Sequence, residues 1–213
     1  YDNVVSGNLA SGINITAISD SQVASTKLTA SNNFVDGNII GPRADGLGAL
    51  SGSTQQIGVT IQDASSNFIG SGNRPFIGYT NVPDPNHKSN VISGNLFVGV
   101  QINGVSQTNA ILGNYIGTDA LGQSAIANRI GVFINNTTGS PGSNVIGGSD
   151  YGSGNIISGN TTAGIELFGP DSGSNPAAPG VANLGGSSTI RGNLIGLGFA
   201  DAVGSQFRAI GNA

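Results

Sequence analysis

Short apolar runs, each closed by glycine and asparagine, recur along the whole chain. Residues 90–102 (NVISGNLFVGVQI) show the pattern most fully: Asn90, two apolar residues, Ser93-Gly94-Asn95, then a second apolar run from Val98. Residues 3–15 (NVVSGNLASGINI) and 155–167 (NIISGNTTAGIEL) repeat it. A sister pattern stands at residues 33–41 (NFVDGNIIG), 109–117 (NAILGNYIG) and 188–196 (STIRGNLIG). Units therefore start at positions 3, 33, 90, 109, 155 and 188, alternating between the two types. Recurrence of this kind is the mark of a solenoid.

The runs are short and rich in Val and Ile, which favours strand over helix. Gly and Asn interrupt each of them before a helix could form. Val4-Val5 and Phe34-Val35 read as first strands of their units, and residues 12–15, 57–61 and 131–134 as second strands. Residues 67–70 and 144–148 read as strands on a third face. A strand this short buries too little surface alone. Stacked over its counterpart from the next unit, it gains a backbone ladder and a continuous apolar interior. Parallel stacking needs a long return path, and one circuit of a coil supplies it. At ~4.8 Å per circuit, six circuits give a rod about 30 Å long.

The corners carry the residues that tolerate positive φ. Asn8, Asn38, Asn95, Asn114, Asn160 and Asn193 each follow a glycine at such a corner. Aligned vertically, their amides can bond to one another as a ladder. Two stretches break the rhythm. Residues 71–89 hold Pro75, Pro83, Pro85 and the sole histidine, His87; residues 169–187 hold Pro170, Pro176 and Pro179. Proline cannot donate to a sheet ladder, so both read as insertions that bulge from the stack.

Composition narrows the function classes. Net charge is −4 and the seven Lys and Arg are scattered, so no basic face for nucleic acid is expected. No apolar run reaches the length needed to span a bilayer as a helix. Cysteine is absent, which excludes a disulfide framework and a thiolate metal site. The chain begins and stops inside a repeat and reads as one domain, residues 1–213, cut from a longer repeat protein. Asn14-Ile15-Thr16, the Asn135/Asn136 pair and Asn160-Thr161-Thr162 match the glycosylation acceptor pattern. In a chain so rich in Asn and Thr they read as chance matches.

The grammar N-Φ-Φ-x-G-N followed by G-Φ-x-Φ resembles the right-handed parallel β-helix repeats of secreted bacterial proteins. Residues 113–122 (GNYIGTDALG) resemble the tandem G-N-x-I-G-T-D-x-x-G repeat of large bacterial surface and secreted proteins. Related pieces stand at residues 37–48 and 192–204. The resemblance covers nearly the whole chain outside the two insertions. It implies an all-β, right-handed parallel β-helix of about six to eight coils, placed outside the cell or on its surface. It implies no particular activity, because this fold hosts enzymes, adhesins and tailspikes alike.

Several residues could carry chemistry. Asp45, Asp119 and Asp201 recur in an Asp-x-Leu/Val-Gly motif. As a column of carboxylates they could serve Ca²⁺, but one Asp per two circuits is too sparse for an ion that wants six to eight oxygens. Each Asp reads instead as closing its own turn, and no cofactor or metal site is expected. Glu166, the sole Glu, sits on a second strand, where its stacked counterparts are Asn14, Thr60, Gln101 or Phe133. A glycosidase needs a second acid beside it, and none is expected there. Phe76, Tyr79, Asp84 and His87 in the first insertion, together with Glu166, are the residues that could touch a glycan. No catalytic residue is assigned.

The expectation is an extracellular structural module: a stalk, adhesin or fibre subunit without its own catalysis. Its partners would be flanking repeats or further copies stacked end to end, since an uncapped coil leaves strand edges open. The alternative is a carbohydrate-binding domain or a polysaccharide lyase or glycoside hydrolase, with the polymer lying along one sheet.

Overall fold

The computed structural model describes residues 2–18, 29–70, 89–135, 143–150, 152–168, 188–200 and 206–212. The insertions expected at 71–89 and 169–187 lie outside these residues, apart from Ser89.

All regular structure among the described residues is strand. Coil 1 is β1 (Val4–Val5), β2 (Ser11–Thr16) and β3 (Phe34–Val35). Coil 2 is β4 (Ile39–Ile40), β5 (Ile57–Gln62) and β6 (Phe68–Ile69). Coil 3 is β7 (Val91–Ile92), β8 (Val98–Asn103) and β9 (Ala110–Ile111). Coil 4 is β10 (Tyr115–Ile116), β11 (Ile130–Asn135) and β12 (Val145–Ile146). Coil 5 is β13 (Ile156–Ile157), β14 (Ala163–Phe168) and β15 (Thr189–Ile190). β16 (Leu194–Ile195) opens a sixth.

First, second and third strands stack separately into three parallel sheets, A, B and C. The chain is thus an all-β parallel β-helix. Register never slips: Ile40, Ile92, Ile116 and Ile157 lie one above another in sheet A, and Ile69, Ile111 and Ile146 do so in sheet C. All seven are fully buried. With Val59, Ile61, Val100, Ile102, Val132 and Ile134 from sheet B they form one dry column. A branched β-carbon suits such stacking, because its χ1 is restricted and each Ile rests on an identical neighbour. Each such burial stabilises by about 1.5–3 kcal/mol relative to exposure.

The units read from the sequence differ from the coils. Starts at 3, 90 and 155 introduce sheet A strands, whereas starts at 33, 109 and 188 introduce sheet C strands. In residues 33–41, 109–117 and 188–196 the turn from sheet C to sheet A is so tight that two strands on different faces read as one motif. Asp36-Gly37-Asn38 is such a turn, between Val35 of β3 and Ile39 of β4. Where that corner is wide, as at 70–90 and 147–155, the same two strands read as separate.

A second alternation is real. In coils 1, 3 and 5 the chain leaves sheet A through Ser-Gly-Asn at residues 6–8, 93–95 and 158–160. In coils 2, 4 and 6 it makes an antiparallel hairpin first. Pro42 pairs with Ala49, Thr118 with Ala125, and β17 (Leu197–Phe199) with β18 (Phe207–Ala209). The hairpins bond to one another: Ala120 N donates to Gly46 O (2.9 Å) and Phe199 N to Gly122 O (2.8 Å). A hairpin is two strands thick, about the rise of two coils. One hairpin in every second coil therefore fills a continuous rib along the outside of sheet A.

Candidate functional site

The corner amides form three columns, not one. Asn3, Asn38, Asn90, Asn114, Asn155 and Asn193 run between sheets C and A, each Nδ2 donating to the Oδ1 of the next at 2.8–3.1 Å. Asn8, Gln55, Asn95, Asn128, Asn160 and Asn212 do the same between sheets A and B. Asn33, Asn67, Asn109 and Asn144 do so ahead of sheet C. The six expected ladder residues divide equally between the first two columns. Consecutive Gly-Asn corners belong to different edges of the coil, which is why they do not meet.

The columns have one polarity. Every amide N–H along them points toward the C-terminal coil. The assignment does not depend on which way an amide was placed, because backbone N–H groups fix it. Asn38 N, Asn67 N, Asn95 N and Asn114 N each donate to the same Oδ1 that receives that residue's side-chain amide. The second amide hydrogen goes to a backbone carbonyl, as from Asn155 to Ile111 O (2.8 Å). Asn67, Asn90, Asn109 and Asn144 are wholly buried, and their side-chain amides are engaged. Asn160 belongs to a column, so its amide is not presented as a glycosylation acceptor, whereas Asn14 is exposed and accepts from Thr16 Oγ1 (2.6 Å).

Asp45 and Asp119 sit in the first two hairpins, and Asp201 lies outside the described residues. Asp45 accepts from Leu47 N (2.9 Å) and from Arg43 Nη2 (2.8 Å). The Leu47 N–H and then the neighbouring guanidinium hold this carboxyl below the usual range. Asp119 is buried and accepts from Gln123 N (2.7 Å) and Leu121 N (3.2 Å). Both carboxylates accept from backbone N–H groups of their own loops. Among the described residues no three His, Asp or Glu side chains lie close enough together to hold a metal ion, and no helix is long and apolar enough to cross a membrane.

Glu166 lies on the outer face of sheet B in the row Asn14, Thr60, Gln101, Phe133, Glu166. Its neighbour in that row is an aromatic ring, not an acid. Arg191 and Asp36 hold matching places after sheet C strands, but in coils 5 and 1. Phe76, Tyr79, Asp84 and His87 lie outside the described residues; description resumes at Ser89.

One concave surface emerges only from the fold. The outward row of sheet A is apolar: Val4, Ile39, Val91, Tyr115, Ile156 and Leu194. The hairpin rib runs beside this row, with Gly122 against Ile156 and Tyr115; Val91 and Ile156 are both buried, whereas Val4 is half-exposed. Over the N-terminal half the rib leaves a groove of about 550 Å³, floored by Val4, Ile39, Val91 and Tyr115. Ala44 and Ala120 of the hairpins wall one side; Asn3, Asn38 and Ser89 line the other. Burial, and then the charge of Asp119, raise the Tyr115 hydroxyl above its ordinary pKa. The recurrence of Val4, Ile39, Val91 and Tyr115 across four coils is the signal in the sequence, masked because motif boundaries drawn from the repeats run across sheets.

No protein-family model matches the chain, and no match is found among curated proteins or among solved structures.

Proposed function

We propose that this chain is a structural module of a secreted or surface repeat protein, a stiff segment of stalk, adhesin or fibre without catalysis of its own. The observation that supports this reading is the set of three amide columns of a single polarity, one at each corner. They tie each coil to the next through side chains as well as through the sheets. Strand register also holds from coil 2 to coil 3, across the twenty-one residues from Gly70 to Asn90. A scaffold that tolerates long insertions at one corner without losing register can carry variable loops along a constant rod. The G-N-x-I-G-T-D-x-x-G repeats of bacterial surface and secreted proteins are the family this reading points to. Flanking repeats, or further copies, would continue the stack.

Electron microscopy of the purified protein, run beside a polysaccharide-degradation assay, tests this. Rods of uniform width, single or joined end to end, with no release of sugar or unsaturated product from any polymer, are expected. Turnover of a polysaccharide that is lost on changing a single side chain would overturn the reading.

A further inference from the structure

We propose that Asn14 is an acceptor site for an N-linked sugar, which would stand on the outer face of sheet B. Three places match the acceptor pattern, and the fold sorts them. Asn160 is 1% exposed. Its Nδ2 donates to Asn212 Oδ1 (2.9 Å) and its Oδ1 receives Asn128 Nδ2 (3.1 Å), so a sugar there would break the column. For the Asn135/Asn136 pair, Asn136 and the threonines that complete both patterns lie outside the described residues. Asn14, Ile15 and Thr16 are all described, and Asn14 belongs to none of the columns.

Strand geometry presents this motif. Successive side chains of a strand point to opposite faces. Ile15 is buried in the core, so Asn14 and Thr16 share the outer face, where both are exposed. Thr16 Oγ1 donates to Asn14 Oδ1 (2.6 Å). Thr60 sits beside Asn14 in the next coil, its Oγ1 2.8 Å from Ser11 Oγ. The amide is thus set among short hydroxyl side chains, which leave room for a sugar ring and can bond to its hydroxyls. The counterparts of Asn14 along its row, Thr60, Gln101, Phe133 and Glu166, also face outward, and none is buried. Coils stacked on either side therefore leave this direction open.

The chemistry is a substitution at an anomeric carbon. Asn14 Nδ2 bonds to C1 of a sugar carried on a nucleotide or polyprenyl diphosphate. The bond from C1 to the diphosphate oxygen breaks, the leaving diphosphate takes the electron pair, and the Nδ2 proton passes to a base of the transferring enzyme. Loss of that proton moves charge onto Oδ1, where the Thr16 hydroxyl already donates. The hydroxyl two residues on therefore stabilises the group that attacks. Only 8% of residues are charged, and a sugar on an exposed strand supplies solvation that so few charges do not.

Incubation of the folded protein with UDP-glucose and a soluble asparagine glycosyltransferase, followed by peptide mass spectrometry, tests the assignment. A hexose should appear on Asn14 and none on Asn160. Asn14→Gln should abolish the addition at this position. Thr16→Val, which keeps the branched shape and removes the hydroxyl, should slow it by about tenfold or more, whereas Thr16→Ser should retain it. All three variants should melt by circular dichroism as the wild type does, since both side chains face outward. A wild type that gains no hexose at Asn14 overturns the proposal. So does an undiminished rate in Thr16→Val, or modification of Asn160 in the folded protein. None of these outcomes bears on whether the rod itself is structural, which the imaging decides.

Discussion

Asn114 and Asn155 meet at one oxygen. Asn155 Oδ1 receives both the backbone N–H and the side-chain Nδ2 of Asn114, each at 2.9 Å. Asn114 Nδ2 also reaches Ile69 O (2.8 Å) and Leu112 O (3.1 Å), tying three coils together. Asn114→Ala would leave Ile69 O without this donor and the amide of Asn90 without its acceptor. At about 1–3 kcal/mol for each buried group left unpaired, a loss of about 3 kcal/mol is expected from chemical denaturation. Asn3→Ala, at the exposed first rung, should cost less than about 1 kcal/mol. Equal losses at the two positions would show that the columns add nothing to the stacked sheets.

The inner glycines of sheet B set how closely one coil approaches the next and the amide column beside it. A methyl group at Gly99 would meet Gly131 O at 2.6 Å, and Asn128 Nδ2 and Ile116 Cγ2 at 3.0 Å. Gly99→Ala should therefore cost at least about 1–3 kcal/mol by overpacking. Gly70→Ala, at the end of a sheet C strand, should be worse. Its φ is +92°, and the added carbon would fall on Leu112 O and Asn114 Oδ1. Gly52, with φ of +71°, has open space around it, so Gly52→Ala should cost only about 1 kcal/mol of backbone strain. Melting temperatures in the order Gly52→Ala, then Gly99→Ala, then Gly70→Ala, from highest to lowest, check the account.

What is legible in the sequence follows from composition within runs; what is not follows from space between them. Val91-Ile92 and Ile156-Ile157 announce strands because β-branched pairs bounded by Asn and Gly have few other uses. The row of Glu166 can be read because second strands are long and share a Gly-Val or Gly-Ile start. Gln55 and Asn128 are hidden as column members because they follow hairpins instead of glycines. Their signal is positional: each stands two residues before the Ile that begins a sheet B strand. Asn212 does follow a glycine, but no second apolar run comes after it within the chain. The groove is illegible for the same reason as the coil boundaries. Val4, Ile39, Val91 and Tyr115 are neighbours only once each motif has been divided between the faces it spans.

Ser93 ties a tight corner to the hairpin above it. Its hydroxyl donates to Thr118 O (2.7 Å) and accepts from Gly117 N (2.9 Å), with the side chain fully buried. Ser6 makes the same pair with Pro42 O and Gly41 N (2.7 and 3.1 Å). Ser158 donates to Leu197 O (2.8 Å). Serine in the odd coils is thus what seats the hairpins of the even ones. Ser93→Ala should cost about 1–3 kcal/mol and should raise amide hydrogen exchange across residues 118–125 selectively. Exchange that rises equally in sheet C would show the loss to be global and the seating role mistaken.

Tyr115 gives the rod a limit at alkaline pH. Its hydroxyl is raised above the ordinary tyrosine value, by burial first and by Asp119 second. A group whose folded pKa exceeds its unfolded one holds more protons in the folded state between the two values. Stability linked to it is fully present below the unfolded pKa of about 10 and declines as pH rises through the folded one. Tyr115→Phe removes this titration while keeping the ring against Gly122, where Tyr115 Cε1 would lie 3.0 Å from an added methyl group. The melting temperature of the wild type should therefore fall more steeply than that of Tyr115→Phe as pH rises above about 10, and the two curves should run parallel at lower pH. Parallel curves throughout would show that the phenol ionises in the groove as freely as in water.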